Sequence, residues 1–360
     1  MIIVVKLKLF ILTQFGGNRM LGVFWLTTDC NMKCIYCYEG NEKKKMYMNE
    51  ETIDKAIEFL MTRAKELKDK RMNIEFHGGE PLLAYKSMES IVYKLRAKCD
   101  MEEIELRFGC TTNATLLNEN RLAFISKEID DFTISMDGAK WTQNYSRPLK
   151  SGGESFDIVE KWLKRTLDIF PNFLIFIISS NYKILFNFVY ATGKFENIKY
   201  LGGIGVKYIV PARDFYDCKF GEKEFTILKR QLEKSKEYIA SENKELHISL
   251  LEKFPFKKMG KCSGGIDSFH IDPEGVLYPC ALSVGETDFA IGNVLSGIDK
   301  KNRDRLLTYS DKFNEACVGC DLYDFCEQTR CKIVNKLLTG EFCTPSSIVC
   351  AENHLLLELN

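Results

Sequence analysis

About six times between residues 21 and 245, a short apolar run is followed by a segment whose apolar residues recur at helical spacing. The runs fall at 21–27, 72–76, 104–111, 131–136, 172–178 and 205–210. Between them, Ile53, Ala56, Ile57, Leu60, Met61, Ala64 and Leu67 share one helical face, as do Met88, Ile91, Val92 and Leu95. Further helices are expected at 118–127, 155–169 and 223–245. Asn49 is placed to cap the first helix, with Glu50 and Glu51 in its first turn. Few folds accept this order. Strand–helix units are right-handed and pair their strands in parallel, so the expectation is an α/β fold, a partial (β/α)6 TIM-like barrel.

Chemistry in such a barrel sits at the C-terminal ends of the strands. The loop after the first run carries Cys30, Cys34 and Cys37 in a C-x3-C-x2-C array, close enough for three thiolates to converge. Iron–sulfur clusters usually take four cysteines, so three leave one iron open to a chelating small molecule. A zinc knuckle is the alternative, but no fourth ligand follows nearby in sequence. After the second run comes His77-Gly78-Gly79-Glu80-Pro81, where the glycines let backbone approach a ligand and Glu80 offers a carboxylate to an ammonium group. An ordinary Gly-Gly turn with a solvated Glu is the plainer alternative. The third loop presents Asn113, and the fourth Ser135 and Asp137 with Arg147 downstream, groups suited to a ribose and a carboxylate.

Fourteen cysteines grouped in short C-x2-C and C-x3-C runs favour metal over disulfides. Fifty basic residues balance fifty acidic ones, so nothing points to a nucleic-acid or membrane partner. The opening apolar run, interrupted by Lys6 and Lys8, lacks a signal-peptide pattern and is too short to span a bilayer. It is expected to be a terminal strand or an extension ahead of Met20, in a cytoplasmic protein.

Together the cysteine array, with Tyr36 before its last member, and Gly78-Gly79-Glu80-Pro81 resemble the radical S-adenosylmethionine (radical SAM) superfamily over residues 21–210. The resemblance implies that Cys30, Cys34 and Cys37 hold a 4Fe–4S cluster whose open iron chelates SAM, and that an electron from it yields a 5′-deoxyadenosyl radical. It also implies that Gly78, Gly79 and Glu80 bind the SAM amino group, with Tyr36, Asn113, Ser135, Asp137 and Arg147 completing the site. The family's usual Thr-Asn-Gly is Thr-Asn-Ala here, at Ala114.

Beyond about Leu251 the pattern gives way to a cysteine-rich segment with little periodicity. A hairpin around Pro273-Glu274-Gly275 would bring Cys262 and Cys280 together. This segment resembles a SPASM domain, which implies two auxiliary 4Fe–4S clusters. Cys262, Cys280 and Cys331 would serve one, and Cys317, Cys320, Cys326 and Cys350 the other. Cys343 is a spare candidate. Cys99, Cys110 and Cys218 read as plain thiols and His270 as a packed, hydrogen-bonded histidine. A double zinc module is the alternative for this region. The expected division is an extension at 1–19, a core barrel at 20–250 and the SPASM domain at 251–360.

By the same resemblance the substrate is a peptide or protein, and thioether or related crosslink formation in a ribosomally made peptide is the leading expectation. An anaerobic sulfatase-maturating enzyme, which oxidises Ser or Cys to formylglycine, is the alternative. That branch places an aspartate base after the equivalent of Cys280, where this chain has Ala281. A zinc or iron–sulfur scaffold or electron carrier is the non-enzymatic alternative, and it would need none of the strand-end loops. The expected partners are an electron donor such as flavodoxin or ferredoxin and a separate leader-peptide-binding protein.

Overall fold

A computed structural model describes residues 19–37, 39–40, 44–169, 193–209, 222–248, 251 and 260–359. The first four apolar runs are strands β1 (Met20–Trp25), β2 (Arg71–His77), β3 (Glu105–Thr112) and β4 (Asp131–Ile134), paired in parallel in sequence order. Helices α1 (Glu50–Lys65), α2 (Tyr85–Glu102) and α3 (Glu119–Glu128) follow the first three. Asn49 caps α1 by accepting from the Thr52 amide at 2.8 Å, and Asn118 caps α3 through the Arg121 amide at 2.9 Å.

Alternation along each strand divides the faces. Met20, Phe24, Ile74, Phe76 and Phe108 are buried toward the helices. Burying each such large side chain contributes ~1.5–3 kcal/mol. At Gly22 a Cβ would lie 2.6 Å from Leu60, so α1 packs directly on the β1 backbone.

After β4 come α4 (Lys140–Ser146), α5 (Phe156–Ile169), α6 (Gly193–Gly203), β5 (Tyr208–Ile209), α7 (Glu222–Ser241) and β6 (His247–Ile248). The expected strand at 172–178 and the terminal strand before Met20 lie outside the described residues. The 205–210 run becomes β5, which pairs in parallel with β6 in a separate ladder. Neither β6 nor helices α4 and α6 were expected. The predicted helix 223–245 ends earlier, at Ser241.

The C-terminal third differs most from expectation. It returns to the core sheet: β7 (Ser268–Ile271) pairs in parallel with β1 on the edge opposite β2. β8 (Leu277–Tyr278) completes the expected hairpin with His270 opposite Tyr278. In its turn Asp272 accepts from the amides of Glu274 and Val276, and Gly275 takes φ +79°. A short hairpin of β9 (Gly292–Asn293) and β10 (Gly297–Ile298) follows. Helices α8 (Lys300–Ser310), α9 (Glu327–Arg330), α10 (Lys332–Thr339) and α11 (Ser347–Leu359) then occupy a segment read as aperiodic. α11 docks on α7 through Leu228, Leu232, Leu355 and Leu356. Among the described residues, no helix is long and apolar enough to cross a membrane.

Candidate functional site

The three-cysteine loop leaves the end of β1 and is held from two sides. On one side the Gly78-Gly79-Glu80 segment runs against its entry: the Gly79 amide donates to Thr27 O and the Glu80 amide to Asp29 O, both at 2.9 Å. Gly78 adopts φ +133°, and a Cβ there would lie 2.3 Å from Thr27 O. A Cβ on Gly79 would lie 2.3 Å from Asp29 O. The glycines therefore admit the backbone of the cysteine loop itself.

On the other side, residues 146–150 run along the loop. Lys33 donates to Pro148 O, Ile35 to Ser146 O and Lys150 to Asn31 O through their amides, at 2.8 to 3.0 Å. Asp29, beside Cys30, accepts the Cys30 amide at 2.9 Å and pairs with Lys45 and Lys150. These backbone contacts fix the loop independently of any metal.

Glu80 is buried, and its carboxylate accepts from the Leu82 amide at 3.0 Å, the Thr112 hydroxyl at 2.6 Å and the Asn113 amide at 2.8 Å. It ties the loop after β2 to the end of β3, with three of a carboxylate's roughly four lone-pair sites engaged. Asn113 Nδ2 donates to Asn31 Oδ1 at 2.9 Å and lies 3.8 Å from Cys30 Sγ. Ala114, where the family has glycine, is buried at φ +62°.

From the end of β4, Asp137 reaches into the cysteine loop. Its carboxylate accepts from Tyr36 Oη at 2.7 Å and from the Ser146 hydroxyl, and Arg147 Nη1 lies 3.9 Å away. Arg147 Nη1 donates to Tyr36 Oη at 2.8 Å. Burial opposes the Arg147 charge, but Cys34, Tyr36 and Asp137 around it more than offset that. Its buried Nε has no hydrogen-bond partner among the described residues. The Ser135 amide donates to Thr112 O at 2.8 Å, placing that residue at the same strand-end level.

The loop thiols lie near enough to raise one another's pKa. Burial, the largest cause, pushes Cys30 up to about 12 and Cys34 to about 11. Desolvation outweighs Arg147 at Cys34, so these thiols resist ionisation, and iron would supply the further positive charge. Cys30, Cys34 and Cys37 beside the buried Arg147 guanidinium, whose Nε has no partner among the described residues, suit a cluster and an anionic ligand next to it. Among the described residues, no three Cys, His, Asp or Glu side chains converge on a single metal-ion position. A four-iron cubane is wider than one ion and spreads its thiolates accordingly.

In the C-terminal third the electrostatics sort the thiols into two sets. Cys331 feels Cys262 and Cys280, while Cys350 feels Cys326, Cys317 and Cys320. Cys331 also feels Cys326, so the sets are neighbours. Cys343 stands near Lys332 and Tyr323, which Cys317 of the second set also neighbours. His270 accepts from Trp25 Nε1 at 3.3 Å, as a packed histidine would. Cys99 and Cys110 are buried in the core, and Cys218 lies outside the described residues. Sequence reasoning missed Asp29, Asn31, Thr112 and Ser146, of which only Asp29, a turn-former beside Cys30, carried a local signal.

The Radical SAM superfamily model matches residues 26–181. An uncharacterized protein of Methanocaldococcus jannaschii is 30% identical over 312 residues, covering 84% of this chain and 95% of that protein. The cysteine-type anaerobic sulfatase-maturating enzyme of Clostridium perfringens is 24% identical over 327 residues, covering 84% of this chain and 85% of that enzyme. Among solved structures, anSMEcpe with bound AdoMet and Cp18Cys peptide superposes with a TM-score of 0.75 at 21% identity, covering 95% and 97% of the two chains. Streptococcus suis SuiB bound to its precursor peptide SuiA gives 0.62 at 17%, covering 97% and 79%. These two show the shared fold. By its sequence relatives and its parallel sheet, the chain belongs to the radical SAM superfamily, whose members use S-adenosylmethionine and a 4Fe–4S cluster.

Proposed function

We propose that this chain cleaves SAM reductively and modifies a peptide or protein substrate, maturing a ribosomally made peptide through a thioether or related crosslink. What carries the reading is the set of three thiols, braced by backbone on both sides, at the ends of β1–β4 beside the unpartnered Arg147 Nε. Bound there, the cluster would supply one electron and SAM the deoxyadenosyl radical that abstracts hydrogen. Cys30, Cys34 and Cys37 would ligate the iron. Arg147 would take the SAM carboxylate, and Gly78, Gly79 and Glu80 would wall its amino group. Asn113, Ser135, Asp137 and Tyr36 would hold the remaining edge and exclude water.

The sorting of the C-terminal thiols supports two auxiliary clusters in a SPASM domain. Cys317, Cys320, Cys326 and Cys350 form a full set of four. Cys262, Cys280 and Cys331 form a set of three, which would leave one iron either open to a substrate thiolate or held by a fourth ligand outside this set. Formylglycine formation is the second reading, favoured by the similarity to the Clostridium perfringens sulfatase-maturating enzyme. Ala281 opposes it, because an alanine supplies no base.

Anaerobic reconstitution tests the proposal. About twelve irons per chain are expected, with release of 5′-deoxyadenosine on addition of dithionite. Cys350→Ser lowers the iron count by up to about four, whereas Cys343→Ser leaves it unchanged. Zinc in place of iron, with no deoxyadenosine, overturns the reading in favour of a scaffold.

A further inference from the structure

The inward face of the sheet carries an unusual row. Register sets His270, Val23, Glu75, Gly109 and Asp131 side by side across β7, β1, β2, β3 and β4. One step nearer the strand ends, Trp25 pairs with His77 and Thr111 with Thr133. Barrel interiors are ordinarily filled by branched aliphatic side chains. Here two rows bring in two carboxyls, two imidazoles, an indole and two hydroxyls.

Gly109 shows how one of these is accommodated. A Cβ there would lie 2.2 Å from Glu75 Oε2, so the missing side chain is what leaves room for the carboxylate. Its neighbours are already engaged. Asp131 pairs with Arg107 at 3.0 Å, and the Trp25 indole donates to His270. Among the described residues, no hydrogen bond reaches the Glu75 carboxyl.

We propose that Glu75, flanked by His77 and Trp25, forms a subsite on the barrel wall that receives the cationic end of a lysine- or arginine-like peptide side chain. The inference deepens the peptide-modifying reading above and rests on it. Three considerations select a cation. Asp131 is matched by Arg107 at 3.0 Å with Arg19 close by, whereas the Glu75 carboxyl has no hydrogen bond or salt bridge among the described residues and is the row's open acceptor. Burial keeps His77 and His270 uncharged, at about 4 and about 3, so neither ring competes for the carboxylate. Trp25, whose ring centroid lies 5.8 Å from that of His77, brings an aromatic ring to the adjoining row, the kind of neighbour that favours a cation.

Burial, followed by Asp131 and against Arg107, lifts Glu75 to about 8, so with no cation beside it the group holds its proton at neutral pH. A bound ammonium removes that penalty, and the proton leaves. Cys110, His77 and His270 are the other titratable groups close by, and each is uncharged at neutral pH.

The test is calorimetry on the anaerobically reconstituted protein with three probes: n-butylammonium, n-butylguanidinium and the uncharged n-pentanol. The wild type should bind the cations roughly tenfold or more tighter than the alcohol, the scale of a hydrogen bond to a charged group. Near pH 7, buffers of different ionisation heat should show release of up to about one proton. Glu75→Gln, of the same shape, should bring the ratio to about one, and Gly109→Ala should do the same by displacing the carboxylate. Equal affinities for amine and alcohol in the wild type overturn the inference whether or not either variant folds, and so does selectivity retained in Glu75→Gln. Dithionite-driven deoxyadenosine release without peptide reads the catalytic proposal separately, so an enzyme that releases it without preferring cations loses this inference alone.

Discussion

Replacing Asp137 with alanine is expected to destabilise the protein by about 3–5 kcal/mol, the scale of breaking a buried ion pair from one side. It should also strip iron from the N-terminal thiols while the C-terminal sets stay loaded. Asp137 is 1% exposed and Arg147 7%, so the guanidinium left behind has no water to turn to. The Tyr36 and Ser146 hydroxyls lose their acceptor as well. Tyr36 lies between Cys34 and Cys37, so freeing its ring loosens the span that sets two of the three sulfurs. Tyr36→Phe keeps the ring and the ion pair and should lose only about 1 kcal/mol. Chemical denaturation and iron counting read both effects. Full iron in Asp137→Ala, with unchanged stability, would show that the loop is held by its backbone contacts alone.

Gly79→Ala is expected to lose about 3 kcal/mol, the upper end of the usual overpacking range, and with it most deoxyadenosine release. The new Cβ would meet Asp29 O at 2.3 Å, Asp29 C at 2.6 Å and Thr28 O at 3.0 Å. All three are main-chain atoms, so no flexible side chain can give way. The segment must lift off, breaking the Glu80–Asp29 bond and shifting a carboxylate that holds three donors. Gly203→Ala is the control, since among the described residues nothing beyond its own helix and chain neighbours lies within 4 Å of a Cβ there. Comparable losses in the two variants would refute the close-approach account.

The periodicity of residues 20–134 carried the core because each period is local. Asn49 and Asn118 announce their helices within a few residues, and Phe24, Ile74 and Phe108 alternate as half-buried strands do. Gly78 and Gly79 announced a close approach but not what approaches, since Thr27 and Asp29 lie some fifty residues earlier in the chain. Asp137 and Arg147 were legible as polar groups following β4, yet their bonds to Tyr36 depend on a loop folding back over more than a hundred residues. α8 was illegible for another reason: Leu306 is its one buried hydrophobic residue, so no apolar stripe marks it. β7 is too short to declare its partner, which lies 247 residues earlier in the chain.

That partnership orders events during synthesis. Until the ribosome has released residues as far as Ile271, β1 has an unpaired flank, open to any stray extended segment. A chain cut at residue 250 would keep its first three thiols and forfeit the ladder that shields the strand feeding them, and self-association is the hazard it would then meet.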